Sequence, residues 1–163
     1  MNKAHLSLGS NRGDRIGNLN KAINLLSTWA GNLIRVSSIY ETPPWKMADE
    51  TNFLNQVLVI ETKLPAEKLL DMILQIESIM GRIRTAKGYE PRTIDIDILF
   101  FNDEIINNER LTIPHPLIQE RKFVLEPLNE ISAEYVHPVL QKSIMQLLGE
   151  CGDKSTVRKL VSK

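Results

Sequence analysis

Between residues 4 and 101 the hydrophobic period of the chain switches from two to 3.6 and back, twice, and few folds accept that order. Residues 4–8 (AHLSL) alternate as a strand does. Gly9-Ser10-Asn11 is expected to break the strand, with Gly13-Asp14 extending the loop. Ile16, Leu19, Ile23, Leu26 and Ala30 then recur at steps of three and four, the spacing of one buried helical stripe, and Gly31-Asn32 stops it. Residues 33–40 carry Ile34, Val36 and Ile39 and read as a strand that Pro43-Pro44 cannot continue. FLNQVLVIET, residues 53–62, reads as a long strand. Pro65 stands where a helix accepts proline, and Ala66, Leu69, Ile73, Ile76 and Met80 form a second stripe that Gly81 can cap. Residues 82–92 are polar and without pattern, and TIDIDILFF, residues 93–101, alternates again.

Strand, helix, strand, strand, helix, strand is the split βαβ order of an α+β, ferredoxin-like βαββαβ core with an antiparallel sheet and its helices over one face. Past residue 102 the pattern weakens. Ile113-Pro114-His115-Pro116 is a stiff turn, residues 117–128 suggest short helical turns, and Leu140, Ile144 and Leu147 suggest a last helix. Neither a repeat nor a linker divides the chain, so residues 1–163 are expected to form a single domain, a common size for one. Lys+Arg and Asp+Glu both number 20, which gives no general pull toward nucleic acid or an anionic membrane. With one cysteine, Cys151, no internal disulfide is available, and no apolar run approaches the roughly 20 residues of a membrane span. These features fit a soluble, cytoplasmic protein with no nucleic-acid or membrane partner.

The chemistry concentrates in a few places. Asp95 and Asp97 are two apart on a strand, so both carboxylates leave the same face with roots about 6.5–7 Å apart, while Ile94, Ile96 and Ile98 take the other face. That spacing suits one or two Mg²⁺ ions, which take a few carboxylates together with substrate phosphates. Acids on the wet face of a strand also serve solubility alone. Just before them, residues 82–92 set Arg82, Arg84, Lys87 and Arg92 against the single acid Glu90. Planar guanidinium forks match phosphate oxygens, although a basic loop can also be merely solvated. His115 lies between two prolines, with Arg121 six residues on. Asn55 shares a strand face with Phe53 and Val57, where its amide needs partners or reads a ligand edge.

Taken together, the motifs resemble the 6-hydroxymethyl-7,8-dihydropterin pyrophosphokinase family of folate biosynthesis. The resemblance runs through SLGSN (7–11), ETPP (41–44), FLN (53–55), GRIR (81–84), EPRTIDIDI (90–98), LTIPHP (111–116) and RKFVLEPL (121–128), and fades after about residue 138. It implies a three-layer α-β-α fold and pyrophosphate transfer from ATP to the pterin hydroxymethyl group, giving AMP and the pterin diphosphate. It further implies two Mg²⁺ ions on Asp95 and Asp97, with Arg82 and Arg92 sharing the catalytic work. In the family pattern Gln75, Glu77, Arg82, Arg84, Arg92, Ile98, Arg110, Thr112, His115 and Arg121 belong to the ATP site. Thr42, Pro43, Pro44, Trp45, Phe53, Asn55, Tyr89 and Phe123 belong to the pterin site, with Phe53 and Phe123 sandwiching the ring. A monomer is expected. Two rivals differ in kind: an RNA-binding module on the same sheet, for which the spaced strand aromatics are missing, and a metal-dependent nucleotide hydrolase, which needs no aromatic sandwich.

Overall fold

The computed structural model describes residues 1–43, 51–81 and 93–160. Strand β1 (Asn2–Ser10) leads to helix α1 (Arg15–Trp29), then strands β2 (Asn32–Val36), β3 (Tyr40–Thr42) and β4 (Phe53–Thr62), helix α2 (Ala66–Ile79) and strand β5 (Asp95–Phe101). A small ladder of β6 (Ile106–Asn107) and β7 (Thr112–Ile113) follows, then a 3₁₀ turn at Ile118–Glu120, helices α3 (Lys122–Ser132) and α4 (Ile144–Glu150), and strand β8 (Arg158–Lys159). The main sheet runs β5-β1-β4-β3-β8, with β2 also paired to β4, and its ladders are antiparallel. This is the ferredoxin-like order that the sequence pattern predicts.

Local chemistry sets the helix ends. Asp14 caps α1, its carboxylate accepting the Gly17 N–H at 3.1 Å. Pro65 opens α2, and Gly81 follows it with φ +85°, a conformation glycine adopts without strain. A reciprocal Ser143–Gln146 capping box starts α4.

Two cores share the sheet. On one face Leu6, Leu8, Leu58, Ile60, Ile96 and Ile98 pack against Leu19 and Leu26 of α1 and Leu69, Ile73 and Ile76 of α2. On the other, Val57, Leu99 and Phe100 pack against Val124, Leu125 and Leu128 of α3 and Ile144 and Leu147 of α4. Helices therefore cover both faces, giving the three-layer α-β-α arrangement. Among the described residues no helix is long and apolar enough to cross a membrane.

Several local expectations shift. Gly9 does not end the first strand: it pairs with Asn55 on one side and Asp95 on the other, and β1 continues to Ser10. The strand expected over residues 33–40 splits at Ser37. Its hydroxyl accepts the Val57 N–H at 3.0 Å, and Glu130 of α3 holds the next residue through the Ser38 N–H. Ile16 lies exposed in the first turn of α1 while Ala22 is buried, and Leu140 lies exposed ahead of α4.

Candidate active site

The second face of the sheet holds a cleft of about 660 Å³ including its open mouth. Its floor is a cross-strand row. Gly9 of β1 stands opposite Asn55 of β4 and also opposite Asp95 of β5, and Ser7 stands likewise between Val57 and Asp97. With neighbouring strands about 4.8 Å apart, the Asn55 and Asp95 backbones lie roughly 10 Å apart across Gly9. A Cβ on Gly9 would meet Asn55 Oδ1 at 3.4 Å and the Phe53 ring at 3.6 Å, so the missing side chain is open floor.

Asp95 and Asp97 line the cleft from β5, with Leu99 beyond them, whereas Ile94, Ile96 and Ile98 are buried toward α1 and α2. Opposite β5, Leu6 faces Ile98 and His5 faces Phe100, so Leu99 is the extra residue of a β-bulge. Its carbonyl accepts the His115 N–H at 3.0 Å, which brings His115 to the cleft wall. His115 Nδ1 accepts the Leu117 N–H at 3.2 Å, leaving the proton of a neutral ring on Nε2. Burial, helped by the positive Arg121, lowers the His115 pKa to about 4 against the opposing pull of Asp95. His115 is thus a neutral donor at physiological pH.

Arg121 and Phe123 enter from the start of α3, the guanidinium carbon 5.6 Å from the Phe123 ring centre. Phe123 belongs to the helical layer and Phe53 to the sheet, so two aromatic side chains border the cleft from different layers. Thr42 and Pro43 complete the wall at the end of β3. Asn55 is buried, and its amide donates to Thr42 Oγ1 at 2.9 Å, which fixes the plane of the amide.

The cleft thus gathers Thr42, Pro43, Phe53, Asn55, Asp95, Asp97, His115, Arg121 and Phe123 of the residues singled out from sequence. Gln75, Glu77, Ile98, Arg110 and Thr112 do not line it. Gln75 and Thr112 are exposed, Ile98 packs in the first core, and Arg110 pairs with Asp71 of α2 at the surface. Glu77 is buried beneath β5, its carboxylate accepting the Ile96 N–H at 2.8 Å between the two aspartates. Pro44, Trp45, Arg82, Arg84, Tyr89 and Arg92 lie outside the described residues. Sequence reading missed the floor, Ser7 and Gly9, and the apolar wall of Leu99, Ile118 and Val124. The double pairing of Gly9 has no sequence signal apart from a small residue following an alternating run.

Hard oxygens at Asp95 and Asp97 suit a small divalent cation. Among the described residues no group of three or more His, Cys, Asp or Glu side chains is arranged to hold a metal. A pair of carboxylates fits Mg²⁺, which draws its remaining donors from substrate phosphates and water.

The sequence model for 7,8-dihydro-6-hydroxymethylpterin-pyrophosphokinase matches residues 5–133. The chain belongs to this family. It is 47% identical over 131 residues to the 2-amino-4-hydroxy-6-hydroxymethyldihydropteridine pyrophosphokinase of Bacillus subtilis, covering 80% of this chain and 78% of that protein. It is 43% identical over 141 residues to the folic acid synthesis protein fol1 of Pneumocystis carinii, covering 86% of this chain but only 19% of that longer protein. The fold matches the crystal structure of wild-type Plasmodium falciparum HPPK-DHPS with pteroate at a TM-score of 0.75 and 22% identity, over 91% of this chain and 42% of that one. Like the Bacillus protein, this member of the pyrophosphokinase family is a transferase in its class of chemistry.

Proposed function

We propose that the cleft transfers the terminal pyrophosphoryl group of ATP to 6-hydroxymethyl-7,8-dihydropterin, releasing AMP and the pterin diphosphate. Support comes above all from one convergence: Asn55, Phe53 and Phe123 stand at one end of the floor row and Asp95 and Asp97 at the other, in a chain of this family. The pterin ring stacks between Phe53 and Phe123 while Asn55, Thr42 and Pro43 read its polar edge. A nucleotide hydrolase would have no use for that half of the cleft.

The hydroxymethyl oxygen attacks the β-phosphorus of ATP. The bond from that phosphorus to the α,β-bridging oxygen breaks, and AMP leaves with the oxygen. Such transfers depend on positioning and charge neutralisation more than on covalent help. The hydroxyl proton passes to a carboxylate oxygen of Asp95, which shares the Gly9 row with Asn55, or to water in the cleft. His115 donates from Nε2 and Arg121 supplies positive charge to the phosphates. Arg82, Arg84 and Arg92 add further charge there, and Pro44, Trp45 and Tyr89 complete the pterin side. Nucleotide roles for Gln75, Glu77, Ile98, Arg110 and Thr112, which lie outside the cleft, require the far end of the nucleotide to reach past β5, the end strand of the sheet. Two Mg²⁺ ions, held by Asp95 and Asp97, would neutralise phosphate charge and bring the reacting groups into line. The same reading takes residues 1–163 as one domain working as a monomer in the cytoplasm.

Incubation with ATP, magnesium and the pterin alcohol tests this. AMP should form in step with pterin diphosphate and only when the pterin is present. Formation of ADP, or AMP release indifferent to the pterin, would overturn it.

A further inference from the structure

Helix α3 carries Arg121 and Phe123 at its start, yet it has no cap of its own. Arg121 occupies the N-cap position and makes no side-chain cap bond, and no acidic residue lies in the first turn. The first N–H groups of a helix need an acceptor from elsewhere. Asp153, 31 residues further on, provides one: its Oδ2 accepts the Lys122 N–H at 3.1 Å. Its negative charge also lies at the helix end that favours anions. Asp153 is itself held, since Oδ1 accepts both the N–H and the hydroxyl of Ser155.

The same tail then reaches the opposite wall. β8 pairs with β3, Lys159 opposite Tyr40 and Arg158 opposite Glu41, and the Leu160 N–H donates to the Ile39 carbonyl at 2.8 Å. Arg158 pairs with the Glu41 carboxylate, whose other oxygen takes Arg15 of α1 at 3.1 Å. Without β8, the three residues of β3 would form an exposed end of the sheet. Thr42, next to Glu41, is the residue that fixes the Asn55 amide. The tail is anchored at both ends, Cys151 against the second core and Leu160 against the first. It lies beyond residues 5–133, which the family model matches.

We infer that residues 151–160 brace the two walls of the cleft, with Asp153 and Arg158 as positioning residues that set the spacing between Phe123 on α3 and Thr42 and Asn55 on the sheet. This rests on the reading of the cleft as the pterin site. Neither residue touches the reacting groups; loss of Arg158 should tell on pterin recognition and leave the nucleotide end alone, whereas loss of Asp153, whose helix end carries Arg121 as well as Phe123, should tell on both.

The test uses the full chain with Asp153→Ala, Asp153→Asn, Arg158→Ala and Arg158→Lys, each measured for KM and kcat toward both substrates. Both alanine variants should raise the pterin KM by about five- to tenfold, and in Arg158→Ala the ATP KM should stay within about twofold, the signature of a displaced wall. Asp153→Asn, which keeps an acceptor oxygen, and Arg158→Lys, which keeps the charge, should recover most of the loss. A second measurement needs no substrate. Amide exchange in the ligand-free protein should quicken by about tenfold at residues 122–124 in Asp153→Ala and at residues 40–42 in Arg158→Ala. Unchanged pterin KM in both alanine variants, or an ATP KM raised as much as the pterin KM in Arg158→Ala, would overturn the inference. Should the wild type make no pterin-dependent AMP, the functional reading fails, and the exchange rates alone decide whether the tail holds the walls: unchanged rates refute it and quickened rates uphold it.

Discussion

Gly9→Ala should give a folded protein with a spoiled cleft. Gly9 lies inside β1, and its φ is outside the left-handed region, so alanine fits the backbone. The new methyl would meet Asn55 Oδ1 at 3.4 Å and Phe53 Cδ1 at 3.6 Å, close but ordinary contacts. Replacing glycine where the backbone permits it stabilises by about 0.4–1 kcal/mol through the unfolded chain, which offsets mild crowding. Stability should therefore change by less than about 1 kcal/mol, or a few degrees in Tm. Catalysis should not escape so lightly. The methyl rises about 1.5 Å from the floor midway between the residues proposed to read the pterin and those proposed to hold the phosphates, and a misplacement of about 1 Å can cost a hundredfold. A drop of about a hundredfold in kcat/KM for the pterin is expected, against a normal melting curve. The assay is pterin-dependent AMP release alongside thermal denaturation. A Gly9→Ala protein that melts normally and turns over within about threefold of wild type would refute the row as the floor of the substrate site.

Three further outcomes follow from other parts of the structure. Asp97→Ala should lose about a hundredfold or more in turnover while melting within about 3 °C of wild type, because relief of carboxylate repulsion offsets lost contacts; near-normal turnover at saturating magnesium would exclude the metal role. Glu77→Leu should cost about 1–3 kcal/mol by stranding the Ile96 N–H at the outer strand and should lower turnover with it, whereas Glu77→Gln keeps an acceptor and should preserve both; equal urea midpoints for the two variants would contradict this. Burial, reinforced by Lys3 and Arg35, lowers the His5 pKa to about 4 from an ordinary 6.5. The folded state therefore prefers the neutral ring, and its contribution is complete above pH 6.5 and fades as the pH falls toward 4. The loss reaches about 3 kcal/mol by pH 4, and His5→Gln should lose that much less between pH 7 and 4 in urea titrations; parallel losses would remove His5 from the account.

The legible part of the fold was the part with a clean period. Long alternating or amphipathic runs gave β1, β4, α1 and α2, and the isoleucines alternating with Asp95 and Asp97 correctly turned both carboxylates to one face. Gly9-Ser10-Asn11 resembled a turn because glycine and asparagine usually mark one, but tertiary pairing on both sides overrode local preference. Pro127 sits inside α3 and disguised an eleven-residue helix as short turns. The two residues of β8 are too few to carry a period, so the bracing tail left no local signature. The resemblance identified the cleft residues Thr42, Pro43, Phe53, Asn55, Asp95, Asp97, His115, Arg121 and Phe123, while the bond from the Ile96 N–H of β5 to the Glu77 carboxylate has no signal in the sequence.

The most direct test of the account is a crystal structure of the protein with a non-hydrolysable ATP analogue, the pterin alcohol and Mn²⁺ in place of Mg²⁺, with the metal located by its anomalous signal. The pterin ring should lie between Phe53 and Phe123 with its polar edge on Asn55, and the anomalous peaks should stand against the carboxylates of Asp95 and Asp97. A pterin bound away from the Gly9 row, or metal coordinated without either aspartate, would contradict the assignment of this cleft as the site of pyrophosphoryl transfer.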